Sequence, residues 1–219
     1  MRINKFVAAA TGLSRRAADA AIAAGRVTVN GGMPAAGHDV AAPDIVLLDG
    51  HALQLAEKQI ILFNKPTGYI TSREGQGSRT IYDLLPPELH HLKPVGRLDK
   101  DSSGLLLLTN DGDLAQQLTH PSHQKTKVYE VALDKPLQPL HRQMIADIGI
   151  SLDDGPSRLQ LERLHEGSDT AWRVTMREGR NRQIRRTLGA LGYSVTTLHR
   201  THLGPYVLQD LRPGRYRYV

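Results

Sequence analysis

The sequence holds no cysteine, so disulfides and thiolate-bound metal sites are excluded. It has no apolar run near the ~20 residues that a helix needs to cross a bilayer. Its first residues, Met1-Arg2-Ile3-Asn4-Lys5, lack the apolar centre of a secretory signal, so a cytoplasmic location and no membrane partner are expected. A phosphate loop of Walker spacing is missing. No serine stands within Gly-x-Ser-x-Gly, so a nucleophile elbow is not indicated. Internal repeats and low-complexity segments are missing too.

What is present suits a folded, basic protein. The hydrophobic fraction is 40%, and 219 residues suffice for one large domain or a domain with a small companion. The formal charge of +6 and pI near 9.7 favour polyanions, of which nucleic acid is the commonest.

Near the N-terminus, Ile3, Phe6, Val7 and Ala10 fall at helical spacing, and Gly12 interrupts them. Ser14 is a suitable N-cap for a second helix from Arg15 to about Ala24, with Ala17, Ala18, Ala21 and Ile22 on one face. Arg15 and Arg16 stand in its first turn, where the helix dipole disfavours cations, which suggests an external anion. Arg26-Val27-Thr28-Val29 reads as a strand, Asn30-Gly31-Gly32 as a turn, and Asp44 to Leu48 as another strand. These pieces resemble the S4-type RNA-binding domain over residues 1–54. The resemblance implies that Lys5, Arg15, Arg16 and Arg26 face an RNA backbone.

After a short linker, residues 59–219 read as an α+β domain with a mixed, mainly antiparallel sheet. Strands are expected at 59–63, 105–108, 125–133, 159–164 and 172–176, and the chain closes with Ser194 to Leu198, Leu203-Gly204-Pro205 and Tyr216-Arg217-Tyr218. Helices are expected at 80–85, 113–119, 139–148 and from about 181 to 191. Within this domain, Gly96-Arg97-Leu98-Asp99-Lys100-Asp101-Ser102-Ser103-Gly104 runs straight into Leu105-Leu106-Leu107-Leu108. A polar loop entering an apolar strand holds a carboxylate at the rim of a core. The loop partly imitates a calcium site, with oxygen side chains at positions 1, 3 and 5 and glycine at 6. Position 12, which needs a bidentate acid, is Asn110, and the leucines suit a buried strand instead. The pairs His90-His91 and His120 with His123 lack convenient acids, so no metal site is expected.

Arg177 to Arg186 carry five arginines and one acid. A carboxylate beside arginine stays ionised and can act as nucleophile or base. Turn capping is the plainer use of Asp99, and phosphate binding without chemistry the plainer use of the arginines.

Gly96-Arg97-Leu98-Asp99 with Ser103 to Gly112, Lys127-Val128-Tyr129-Glu130-Val131, Glu178 to Arg186, and Leu198-His199-Arg200 with Leu203-Gly204-Pro205 resemble the RNA pseudouridine synthases. The likeness is greatest to their RsuA-type ribosomal branch. It implies isomerisation of a flipped-out uridine, without cofactor or metal. Asp99 would be the essential carboxylate, Arg185 its ion-pair partner, and Tyr129 the residue packed on the base. Arg97 would fill the place the base leaves, and Leu198 would line the pocket. Arg180, Arg182 and Arg186 would contact substrate, the last two at phosphates. The implied partner is ribosomal RNA or a pre-ribosomal particle, with tRNA as a further candidate, and the enzyme would be a monomer. Large-subunit RNA is favoured over small-subunit RNA by the Asn181 to Arg186 wording. The alternative is a non-catalytic RNA-binding assembly factor on the same scaffold.

Overall fold

The computed structural model describes residues 1–35 and 37–219, which form two compact units. The first comprises Met1–Gln59 with Asn110–Gly112, and the second Ile60–Thr109 with Asp113–Val219.

In the first unit, α1 (Ile3–Thr11) and α2 (Arg15–Ala23) pack through Val7, Ala18 and Ala21, all buried. Small side chains on α2 let the helices approach closely. Ser14 caps α2, its Oγ accepting from the Ala17 N–H at 3.0 Å. Gly12 adopts φ 77°, the left-handed conformation that ends α1. Three short antiparallel strands follow: β1 (Val27–Val29), β2 (Val46–Leu48) and β3 (His51–Ala52).

The second unit contains, in chain order, β4 (Ile60–Lys65), β5 (Lys93–Val95), β6 (Ser103–Thr109), α3 (Gly112–Thr119), β7 (Lys127–Leu133) and α4 (Pro139–Gln143). There follow β8 (Ile150–Leu152), β9 (Gly155–Ser157), β10 (Gln160–Arg163), β11 (Ala171–Met176), α5 (Gln183–Gly189), β12 (Val195–Leu203), β13 (Tyr206–Val207) and β14 (Tyr216–Tyr218). Its described residues form a nine-stranded sheet in the order β10-β11-β7-β12-β6-β4-β14, with β13 on β12 and β5 on β6. The β12–β6 pair is parallel and the others are antiparallel, so the sheet is mixed and mainly antiparallel.

Strand β6 is central because both its faces are covered. Leu106 and Leu108 join Ile61 and Phe63 in the larger core, while Leu105 and Leu107 join Leu62, Val95 and Leu118 in a smaller one. All four leucines are 0% exposed, which explains an unbroken leucine run in place of alternation. On one side β6 pairs with β4 from Gly104 to Thr109. Its other neighbour changes, from β12 at Ser103–Gly104 to β5 at Leu107–Thr109. The loop holding Asp99 connects β5 to β6, so it leaves the sheet where those two neighbours part. Gly104 is required here: its φ is 104°, and an added Cβ would stand 2.2 Å from the Arg200 carbonyl oxygen.

Local differences from the expected elements have local causes. The helix expected at 80–85 is a 3₁₀ turn, Ile81–Leu84, closed by a Thr80–Asp83 capping box and stopped by prolines. The helix at 139–148 is α-helical only to Gln143 and widens to a π turn at Met144–Ile148. Helix α5 begins at Gln183, two residues past the expected Asn181. The β8–β9 hairpin was not anticipated; its strands are three residues each, too short for a period to show.

Candidate active site

The loop 97–102 is pinned by its own backbone. Every carbonyl from Leu98 to Ser102 accepts a hydrogen bond. Thr71 Oγ1 donates to Leu98 O at 2.8 Å, and the Gly68 N–H to Lys100 O at 2.7 Å. Arg185 Nη2 donates to Asp101 O at 3.0 Å. Lys65 Nζ donates to Asp99 O at 2.9 Å and Ser102 O at 2.8 Å, and also to Pro66 O at 3.1 Å. Lys65 is 0% exposed. Burial pushes its pKa down to about 8, against the upward pull of Asp99 and Asp101.

With its backbone fixed, Asp99 turns its carboxylate to a cleft of about 310 Å³. Tyr129, Met176, Ile184 and Leu198 supply apolar lining, and Asp99, Arg97, Arg180, Arg182 and Arg200 supply charge. Tyr129 and Leu198 are buried on β7 and β12, whereas Arg97 is exposed. A few charged groups converging on an apolar cleft are the usual make-up of a small-molecule or nucleotide site.

The cation at Asp99 is Arg182, not Arg185. Arg182 Nη1 lies 3.4 Å from Asp99 Oδ2, and the same guanidinium donates twice to Asp101 at 3.1 Å. Arg185 Nε lies 3.3 Å from Asp101 Oδ2 and its Nη1 donates to Val195 O at 2.7 Å. The expected Arg185–Asp99 pair is therefore replaced by a chain in which Arg182 bridges both acids. Hydrogen bonding from Arg182 holds the Asp101 carboxyl below the usual carboxylate range. Arg182 reaches the loop from a left-handed backbone at the start of α5, φ 46°, an uncommon conformation for a non-glycine residue.

Arg180 and Arg186 direct their donors inward. Arg180 bonds Asp154 Oδ1 at 2.8 Å and the carbonyls of Asp154, Gly155 and Pro156. Arg186 pairs with Asp153 and, at 2.6 Å, with Asp154. The β8–β9 hairpin thus clasps α5 and sets the position of Arg182. Buried Gln183 and Thr187 also bond Ser157 of β9, at 3.0 and 2.7 Å.

Three site residues carried no sequence expectation: Lys65, Asp101 and Arg200. Lys65 shares the inward face of β4 with Ile61 and Phe63, so the two-residue period could have flagged it. Arg200 is 3% exposed. Its Nε donates to Leu105 O at 2.8 Å, while its Nη2 has no hydrogen-bond partner among the described residues, and the side chain lines the cleft.

In the first unit, Arg15 and Arg16 are exposed. Arg26 is instead held by Asp49, its Nε donating to Oδ1 at 2.9 Å. Lys5 lies on α1.

A family model described as RNA pseudouridylate synthase matches residues 59–190, and an S4 domain model matches residues 1–33. The chain belongs to the RNA pseudouridine synthase family. It is an isomerase whose substrate class is RNA. The enzyme is 36% identical over 221 residues to the ribosomal small subunit pseudouridine synthase A of Yersinia pestis, covering 99% of this chain and 94% of that protein. It is also 36% identical over 217 residues to the ribosomal large subunit pseudouridine synthase B of Pseudomonas aeruginosa, covering 93% of this chain but 55% of that longer relative. A crystal structure of a pseudouridylate synthase superposes with a TM-score of 0.71 at 33% identity, covering 100% of this chain and 96% of that one.

Replacing Lys65 by Met tests the pinned loop. Three carbonyls lose the Lys65 ammonium, and Asp99 O keeps only the Ser102 N–H, which costs roughly 2–4 kcal/mol in denaturant unfolding. The pH dependence has a definite sign. The folded pKa is about 8 and the ordinary one 10.5, so between them the unfolded chain binds more protons. The stability of the parent enzyme relative to Lys65→Met should therefore rise as pH climbs through that window. A flat difference would mean that Lys65 is not buried as a cation.

Proposed function

We propose that the enzyme converts uridine to pseudouridine in ribosomal RNA, with Asp99 as the reacting carboxylate and large-subunit RNA as the target. The observation that carries this reading is a carboxylate on a fully pinned loop, facing an apolar cleft beside Tyr129. Identity to large- and small-subunit relatives is the same, 36%, so the choice of subunit rests on the Asn181 to Arg186 wording.

The target nucleotide leaves its stack at a cost of a few kcal/mol, and exposed Arg97 takes the vacated place. The N1–C1′ bond breaks and the uracil carries away the bonding pair. Asp99 either attacks C1′, or removes the C2′ proton to give a glycal. The uracil then turns and C5 bonds to C1′, as the Asp99–C1′ ester bond breaks or as Asp99 returns its proton to C2′; the C5 proton is lost while N1 gains one, so the product is an isomer. Tyr129 packs on the base and assists removal of the C5 proton. Negative charge develops on the uracil carbonyl oxygens as N1 departs. Arg200, which lines the cleft and is nearly free of solvent, is a preorganised cation for that charge. Arg182 and Arg185 act by holding the 99–101 loop. Cations of the first unit, Arg15 and Arg16 foremost, contact RNA phosphates.

Asp99→Asn should lower turnover by ~10³-fold or more while RNA affinity stays within about twofold. Pseudouridine formation at the parent rate would remove Asp99 from the chemistry. Arg200→Lys keeps the charge but loses the forked donor, and kcat should fall by ~10²-fold with KM little changed. A change confined to KM would make Arg200 a binding residue only. Neutralising Arg15 and Arg16 to Gln should flatten the dependence of log affinity on log salt by ~1 to 2; an unaltered slope would show that they do not meet phosphates. Mapping pseudouridines in large-subunit RNA, small-subunit RNA, assembly intermediates and tRNA, with and without the enzyme, identifies the target.

A further inference from the structure

A second concavity of about 600 Å³ adjoins the active cleft. The two share Leu118, Thr119, Lys127, Gly179 and Arg180 as lining, so they are continuous across the end of β7 and β11. Lys125 and Arg177 lie just outside these antiparallel neighbours, beyond the Lys127–Met176 pair, and Arg158 follows β9. Lys125, Lys127, Arg158 and Arg177 all line the concavity.

These cations differ from the arginines of α5. Arg180, Arg182, Arg185 and Arg186 each have a carboxylate within reach. Among the described residues, Lys125 and Arg177 have no hydrogen-bonding or carboxylate partner. Arg158 donates only to Ile148 O at 3.2 Å, and Lys127 only to Glu178 O at 3.2 Å. One carboxylate lines the concavity, Glu178, and it is turned to Arg180 and Gln183. Four cations gathered without a free acid repel one another, and a polyanion laid among them relieves that repulsion. Gly179 has no side chain to close the passage between the two cavities; a Cβ there would come to 3.1 Å from Lys127 Nζ.

We infer that this concavity is a phosphate track for the RNA strand flanking the reacting nucleotide, with Lys125, Arg158 and Arg177 as its contacts and Lys127 at its junction with the cleft. The inference rests on RNA being the substrate that occupies the cleft. One strand leaves the cleft over Gly179 and meets the track at once. Arg97, Asp99 and Arg182 stand at the cleft itself, so the track grips the substrate on one flank only and fixes the direction in which the strand runs.

The test uses the full chain with Lys125, Arg158 and Arg177 all changed to Gln, and a single-stranded uridine-containing RNA as probe. Affinity is followed by anisotropy over a range of salt. Three lost contacts on a single strand should reduce the log–log salt slope by ~2 and weaken binding about tenfold or more at low salt. An unchanged slope overturns the track. Lys135→Gln with Arg142→Gln and Arg163→Gln, three cations lying over the rings of Tyr193 and Trp172, is the control for net charge. An equal loss of slope in that control also overturns the track, because bulk charge then suffices. Pseudouridine formation by the parent chain is assayed on rRNA transcripts in parallel. If the slope falls only in the triple variant but the parent makes no pseudouridine, the track stands and the reading of the cleft fails.

Discussion

A single ammonium group without solvent contact holds the loop that carries Asp99. Lys65 Nζ has carbonyl oxygens, not carboxylates, as its hydrogen-bond acceptors. Burying a cation costs several kcal/mol, and carbonyl dipoles offset part of that. The choice of acceptor matters for Asp99. A carboxylate salt-bridged to a buried lysine would be drawn into the core. Because Lys65 takes the backbone of Asp99 instead, the Asp99 side chain remains on the cleft side. The other carbonyls of the loop are taken by Thr71, Gly68 and Arg185, which leaves the segment little freedom to drift. A displacement of 1 Å at a reacting group can cost ~10²-fold in rate, so such over-determination suits the role proposed for Asp99.

The sheet supplies the second constraint. Strand β6 exchanges β12 for β5 along one edge, and the loop emerges at that exchange. The same place requires Gly104, since any side chain would strike the Arg200 backbone. Arg200 is thereby brought against Leu105 O and buried, with Nη2 lacking a hydrogen-bond partner among the described residues. Its charge, together with desolvation as the larger cause, lowers the pKa of Lys127 nearby. Glycine in the loop motif therefore serves packing between two strands, not the coordination turn that it imitates in a calcium site. The arginines confirm the point, because Arg182 and Arg185 occupy the carboxylates that a cation would need.

Much of this was legible in the sequence, and the exceptions share a cause. The two α-helices of the first unit, the Ser14 cap, strands β4, β6, β7 and β11, and the mixed sheet follow from period, capping and leucine content. Features that needed long-range partners were not legible. Lys65 falls just past the strand expected at 59–63, and its acceptors at Asp99 and Ser102 lie more than thirty residues away. The Asp153–Asp154 turn carried no signal, since its meaning depends on Arg180 and Arg186 in space. The exchange of Arg185 for Arg182 at Asp99 depends on a left-handed residue at the start of α5, and helical spacing alone would not assume one.

The basic charge of the chain, finally, divides into two populations with different physical effects. Arginines that meet acids within the fold add little to long-range attraction, because each is neutralised on the spot. Arg180 and Arg186 are of this kind: they tie α5 to the β8–β9 hairpin and so aim Arg182. Their value lies in geometry. Cations without acids do the reverse. Arg97, Lys125 and Arg177 define little structure, yet they carry the field that an approaching polyanion feels. A net charge of +6 conceals this division. On the proposed reading, RNA meets the cleft through the cations the fold leaves uncompensated, and those gathered in the second concavity adjoin the cleft directly.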